Sequence, residues 1–180
     1  MPPRIDQPIE KRTFAVLVDN EPGVLARVVG LFSARGYNIE SLTVAETDVQ
    51  AHVSRITIVT SGTALILEQI GAQLERMVSV RAVHDVSRDP AGLERELALV
   101  KVRGTGAERA EALRVADIFR ARVIDTTHES FVFELTGASS KIDKFLHLMG
   151  PLGLVELSRT GVLSITRGMG DEPGDARGSD

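Results

Sequence analysis

The sequence predicts an α+β fold built from two ferredoxin-like βαββαβ modules, each an antiparallel sheet with helices on one face. Three observations carry this. Apolar periodicity gives the order strand, helix, strand, strand, helix, strand, and then gives it again. The stretch Ser87-Arg88-Asp89-Pro90-Ala91-Gly92 interrupts the two runs with turn-forming and charged residues. A chain of 180 residues is long enough for two such small modules. The expected layout is therefore a first module over residues 12–87, a linker over 88–94, a second module over 95–168, and flexible tails at 1–11 and 169–180.

In the first module, Thr13 to Val18 is apolar on both faces, as a central strand should be. Gly23 to Ala34 reads as a helix, with Val24, Val28 and Phe32 stacked along one side and Gly36 ending it. Ile39 to Thr47 and His52 to Thr60 form a strand pair. Thr63 to Arg76 is a second helix, with Ile66, Ile70 and Leu74 on one face, and Val80 to Asp85 is the last strand.

The second module opens with a strand from Arg95 to Arg103, in which Leu97 and Leu99 supply the apolar period. Glu108 to Ala121 is a helix presenting Ala112, Ala116 and Phe119. Arg122 to Thr127 and Ser130 to Thr136 make a hairpin around His128-Glu129. A helix from Ser139 to Met149 follows, with Ser139 or Ser140 as N-cap and Ile142, Phe145, Leu146 and Met149 on its apolar side. Leu154 to Ser158 and Val162 to Ile165 are short strands joined at Thr160-Gly161.

Composition narrows the function. There is no cysteine, which excludes a disulfide framework, thiolate metal sites and thiol catalysis. Lys and Arg total 21 against 25 Asp and Glu, a balance that disfavours nucleic acid as main partner. No apolar run reaches the ~18 residues of a membrane span, and Met1 to Asp6 lacks the apolar stretch of a signal peptide, so a cytoplasmic protein is expected. His52, His84, His128 and His147 share no metal-ligand spacing. Gly104 and Gly106 read as a strand-to-helix turn, and no nucleophile, base and orienting group fall together.

The most informative segment is Asp19-Asn20-Glu21-Pro22-Gly23-Val24-Leu25, with Arg35-Gly36-Tyr37-Asn38-Ile39-Glu40 beyond the helix. A strand passing through a turn into a helix leaves backbone N–H groups at Gly23, Val24 and Leu25 without helical partners. Those donors and the helix dipole favour a carboxylate. Pro22 suits a helix start, and Gly23 removes a side chain where a ligand approaches. Asn20 and Asn38 each combine an acceptor oxygen with two donor hydrogens, a set that suits the ammonium and carboxylate of an amino acid. Both are expected at strand ends on the same side of the sheet, with Val24, Leu25 and Ile39 as an aliphatic wall. The same residues also make an ordinary turn and a helix-to-strand junction, so on their own they leave binding and structural roles both open.

The strand Ile39 to Thr47 is expected at a sheet edge, and it carries no Lys or Pro to protect it. Pairing with its symmetry mate gives a two-fold dimer and moves Asn38 of one subunit towards the turn of the other. The alternative is an edge covered by the second module.

Val18 to Val28, Gly30-Leu31-Phe32 and above all Gly36-Tyr37-Asn38-Ile39-Glu40-Ser41-Leu42-Thr43-Val44 closely resemble the small, regulatory subunit of acetolactate synthase. The likeness continues through Leu97 to Val102, Ile118-Phe119-Arg120, Ile124-Asp125 and Arg159-Thr160-Gly161. Asn-x-Pro-Gly alone marks only the broader ACT-domain group. The resemblance implies an ACT domain followed by a smaller ferredoxin-like domain. It implies a homodimeric, non-catalytic subunit that binds valine, activates the catalytic (large) subunit and confers feedback inhibition in branched-chain amino-acid biosynthesis. The cofactors of that transferase, thiamine diphosphate, Mg and FAD, would belong to the catalytic subunit, and no cofactor or metal is expected in this chain. Carried over residue by residue, the valine site is Asn20, Pro22, Gly23, Val24, Leu25, Asn38 and Ile39. Three other readings stand beside it: a free-standing ACT-type sensor with another partner, an acylphosphatase-like hydrolase, and an RNA-binding module, the last disfavoured because the strands lack stacking aromatics.

Overall fold

The computed structural model describes residues 8–168. The first run of elements is β1 (Glu10–Asp19), α1 (Val24–Arg35), β2 (Ser41–Asp48), β3 (Val53–Gly62), α2 (Ala64–Glu75) and β4 (Val80–Asp85). The second is β5 (Gly92–Arg103), α3 (Gly106–Phe119), β6 (Arg122–Thr126), β7 (Ser130–Gly137), α4 (Ser139–Met149), β8 (Leu154–Arg159) and β9 (Leu163–Thr166). Each run is the βαββαβ order the periodicity predicts, and β9 is the further short strand expected over Val162 to Ile165.

The described chain falls into two compact units, residues 94–163 in one and the remainder in the other. The division lies inside the expected 88–94 linker. Residues 164–168 group with the first unit, although the sequence reading carries the second module to 168. The linker itself is ordered: Val86–Arg88 is a single 3-10 turn, and β5 already begins at Gly92. Part of the expected N-terminal arm is also structured, because Glu10 and Lys11 pair with Gly62 and Ser61 in β3. Residues 1–7 and the expected tail at 169–180 lie outside the described residues.

The first sheet has the order β2-β3-β1-β4, every neighbour antiparallel. β1 is therefore central, and it is buried from Arg12 to Val16 and again at Val18. Its residues Phe14, Val16 and Val18 meet Val24, Val28 and Phe32 of α1, Leu67, Ile70 and Leu74 of α2, and Ile56 and Ile58 of β3. Both helices thus cover one face. α1 starts from Gly23 and ends at Gly36, both left-handed, at φ 83° and 67°. Thr63 caps α2 by accepting from the Ile66 N–H at 3.4 Å.

The second sheet runs β6-β7-β5-β8, with β9 also pairing with β5. Its core joins Ala98, Val100 and Val102 to Phe131, Phe133 and Leu135 and to Ala112, Val115, Ala116, Ile142, Phe145 and Met149. The expected face of β5 is thereby reversed. Leu99 is exposed, Leu97 is only half-buried, and the alternate residues face the helices. Glu96 lies on the same inward face, buried at 4% exposure, where Arg159 grips it with two bonds of 2.6 Å. The same guanidinium reaches Asp143 on α4 at 2.7 Å. These carboxylates push the Arg159 pKa further up. Neither Ser139 nor Ser140 caps α4; the N-cap position is Ala138.

Candidate functional site

The turn after β1 is pinned from three directions. The Asp19 N–H donates to Ser79 O at 2.9 Å and its carboxylate takes Arg81 Nε at 2.6 Å. The Asn20 N–H donates to His52 O at 2.7 Å. Glu21 receives Arg27 at 3.4 Å and the Ser79 hydroxyl at 3.3 Å. These bonds hold the turn backbone in place ahead of α1.

Gly23, not Pro22, stands at the head of α1. It adopts φ 83° as N-cap, and Pro22 precedes the helix. The donors at the helix start differ accordingly from the expectation. The Val24 N–H turns back to Glu21 O at 3.3 Å, whereas Gly23 and Leu25 have no hydrogen-bond partner for their N–H groups among the described residues. Nothing lies within 4 Å of where a Gly23 Cβ would sit, so the approach to these donors is open.

The side chains sort in the same way. Asn20, Pro22, Gly23 and Asn38 are exposed. Val24 is 6% exposed and belongs to the core, so it cannot form part of a ligand wall. Leu25, at 39%, is open to solvent, and Ile39 is half-buried against the core. The available apolar surface is thus Leu25 and the outer part of Ile39.

The expectation that Asn20 and Asn38 share one side of the sheet is overturned within the chain. β1 and β2 both pair antiparallel with β3 and so run in the same direction. β1 ends at Asp19, opposite Val53, and Asn20 follows at that end. Asn38 precedes β2, and its carbonyl accepts from Thr60 Oγ1 at 2.6 Å, at the far end of β3. α1 spans the same distance, with its N-terminus by Asn20 and its C-terminus by Asn38. Within one chain the two asparagines therefore lie at opposite ends of the sheet. What does meet Asn20 is Glu46, near the end of β2, whose Oε1 accepts from Asn20 Nδ2 at 3.1 Å. Sequence reasoning missed Glu46, since only the parallel course of β1 and β2 brings it to the turn.

Near Asn38, Lys11 binds Glu40 at 2.6 Å and Ser61 donates to the other Glu40 oxygen. Lys11 first, and Ser61 after it, hold the Glu40 carboxyl below its ordinary pKa. β2 is the exposed outer strand of the sheet: residues 44–48 are all open to solvent.

A separate cavity of about 410 Å³ lies in the second unit, lined by Lys101, Arg103, Thr127, Glu129, Ser130, Val155 and Glu156. It is open and of mixed charge, with Lys101 already paired to Glu156 at 3.0 Å. Among the described residues, no three His, Cys, Asp or Glu side chains gather to hold a metal ion. No helix among them is long and apolar enough to cross a membrane.

With this geometry in place, two family models match the chain. Residues 14–82 match the AHAS small subunit-like ACT domain, and residues 95–168 match the small subunit of acetolactate synthase. The chain belongs to the acetolactate synthase small-subunit family. It is 44% identical over 158 residues to a probable acetolactate synthase small subunit of Archaeoglobus fulgidus, covering 88% of this chain and 98% of that one. It is 46% identical over 159 residues to the acetolactate synthase small subunit of Haemophilus influenzae, covering 88% and 96%. The crystal structure of the acetolactate synthase small subunit from Thermotoga maritima superposes with a TM-score of 0.78 at 36% identity, covering 88% and 98%. The two ferredoxin-like modules inferred from periodicity are thus the ACT domain and the C-terminal domain of this family.

Proposed function

We propose that this chain is a non-catalytic regulatory subunit that binds valine across a two-fold interface between ACT domains. It passes that signal to the thiamine-diphosphate-dependent catalytic subunit of acetolactate synthase in the cytoplasm. The observation that carries the reading is the placement of complementary residues at opposite ends of β2, the outer strand of its sheet among the described residues. Asn20 and the α1 N-terminus lie at one end of β2, and Asn38 lies at the other.

Antiparallel pairing of β2 with its symmetry mate sets the start of one strand beside the end of the other. Asn38 of one subunit then approaches Asn20, Gly23 and Leu25 of the second, twice per dimer. The valine carboxylate is received by the Gly23 and Leu25 N–H groups with the helix dipole behind them, and its ammonium by the Asn side-chain oxygens. Leu25 and Ile39 offer the aliphatic contact. The pocket residues Pro22 and Val24 act indirectly, Pro22 by fixing the turn and Val24 by anchoring it to the core.

Coupling to the catalytic subunit requires valine to bind one quaternary arrangement better than another. Thiamine diphosphate, Mg and FAD stay with that catalytic subunit. The test is reconstitution with the catalytic subunit. Asn38→Ala and Gly23→Asp are expected to keep the activation and lose the valine inhibition, with affinity for valine falling roughly 10- to 100-fold. Full valine sensitivity in Asn38→Ala contradicts the site.

A further inference from the structure

The acidic groups around the Asn20 turn are unequally neutralised. Asp19 is paired with Arg81 at 2.6 Å and Glu21 with Arg27 at 3.4 Å. Asp48 is held by the Ala51 N–H at 2.9 Å. The Glu46 carboxylate has no Lys, Arg or His nitrogen within 4.0 Å among the described residues. Its recorded bond is to Asn20 Nδ2 at 3.1 Å.

That bond settles how Asn20 presents itself. A carboxylate only accepts, so the Asn20 amino group must face Glu46 and the Asn20 Oδ1 must face away as an acceptor. The register fixes the side. Glu46 pairs with Ser54, and Ser54 with Val18, whose side chain lies under the helices. Glu46 therefore sits on the helix-bearing face, at the same end as the α1 N-terminus. One end of this face carries both a positive pole, the Gly23 and Leu25 N–H groups, and a negative one, Glu46 with Asn20 Oδ1.

We infer that Glu46 is a specificity-determining residue that recognises the ligand's ammonium, so that the site takes a zwitterionic amino acid and rejects the 2-oxo acid with the same side chain. This rests on the valine reading above. A 2-oxo acid satisfies the carboxylate donors and the aliphatic contact but brings a carbonyl oxygen to Glu46, an acceptor facing acceptors. The discrimination matters because the transaminated and untransaminated forms of one carbon skeleton differ only at this group.

The test is isothermal titration calorimetry of the full chain with valine and with 3-methyl-2-oxobutanoate, in wild type and Glu46→Gln. Glutamine keeps an oxygen for Asn20 and removes the charge. Wild type is expected to bind valine and not the oxo acid. Glu46→Gln is expected to lose roughly tenfold in valine affinity and to narrow the gap between the two ligands. Unchanged valine affinity and unchanged discrimination in Glu46→Gln, with wild type binding valine, overturn the role of Glu46 alone. Absence of valine binding by wild type overturns the valine site itself, and this inference with it.

Discussion

Asn20 and Asn38 sit at opposite ends of the same three-strand ladder: Asn20 follows Asp19, which faces Val53, whereas Asn38 is bonded to Thr60. Seven residue steps along β3 separate Val53 from Thr60, roughly 23 Å at the usual rise. No single valine can touch both within one chain. A shared site therefore requires a second copy, and β2, the outer strand whose residues 44–48 are open to solvent, is where it is proposed to pair.

Two glycines with positive φ differ sharply in what surrounds them. A Cβ at Gly153 would lie 2.0 Å from Arg103 O, while one at Gly23 would meet nothing within 4 Å. Gly153→Ala is expected to cost about 3 kcal/mol or more, through the clash added to the strained backbone. Gly23→Ala is expected to cost only about 1 kcal/mol, the left-handed penalty alone. Thermal unfolding of the two variants measures both.

The Arg159 cluster gives a second contrast. Arg159→Ala leaves Glu96 buried without its bidentate partner and is expected to destabilise by about 3 kcal/mol. Asp143, the partner at 60% side-chain exposure, contributes less: Asp143→Ala is expected to cost under about 1 kcal/mol. Urea unfolding of both variants checks the ranking.

Glu40 provides a pH signature. Its folded pKa is depressed, so its contribution is present above the unfolded carboxyl value and is lost as pH falls through the lower folded one. Glu40→Gln is expected to cost about 0.5 kcal/mol at pH 7, after allowance for solvent screening. The difference from wild type should shrink below about pH 4 and vanish in stronger acid. Denaturant midpoints measured from pH 7 down to pH 2 follow the effect.

Element order was legible in the sequence because apolar spacing reports it directly: Val24, Val28 and Phe32, or Ile142, Phe145 and Met149, state their helix faces unaided. The face of β5 was not. Leu97 and Leu99 alternate with Ala98, Val100 and Val102, so hydropathy alone leaves either face able to turn inward, and the second set is the one that packs on Phe131, Phe133 and the helices. The site residues were legible as types, since an exposed Asn-x-Pro-Gly turn at a helix start carries its chemistry locally. Their arrangement was not. The separation of Asn20 from Asn38 and the arrival of Glu46 both depend on β1 and β2 running the same way on either side of β3. The α4 cap lies one residue before Ser139 and two before Ser140, because the chain enters the helix at Ala138.

The most direct measurement mixes two defective subunits. Asn20→Ala and Asn38→Ala homodimers each lose both sites, because every site draws one residue from each subunit. A mixed dimer of the two concentrates both defects in one site and leaves the other intact. Calorimetry on the purified mixed dimer is expected to show one valine bound per dimer with near wild-type affinity. No binding by the mixed dimer, with wild type binding two, contradicts the shared site and places both residues' function within a single chain.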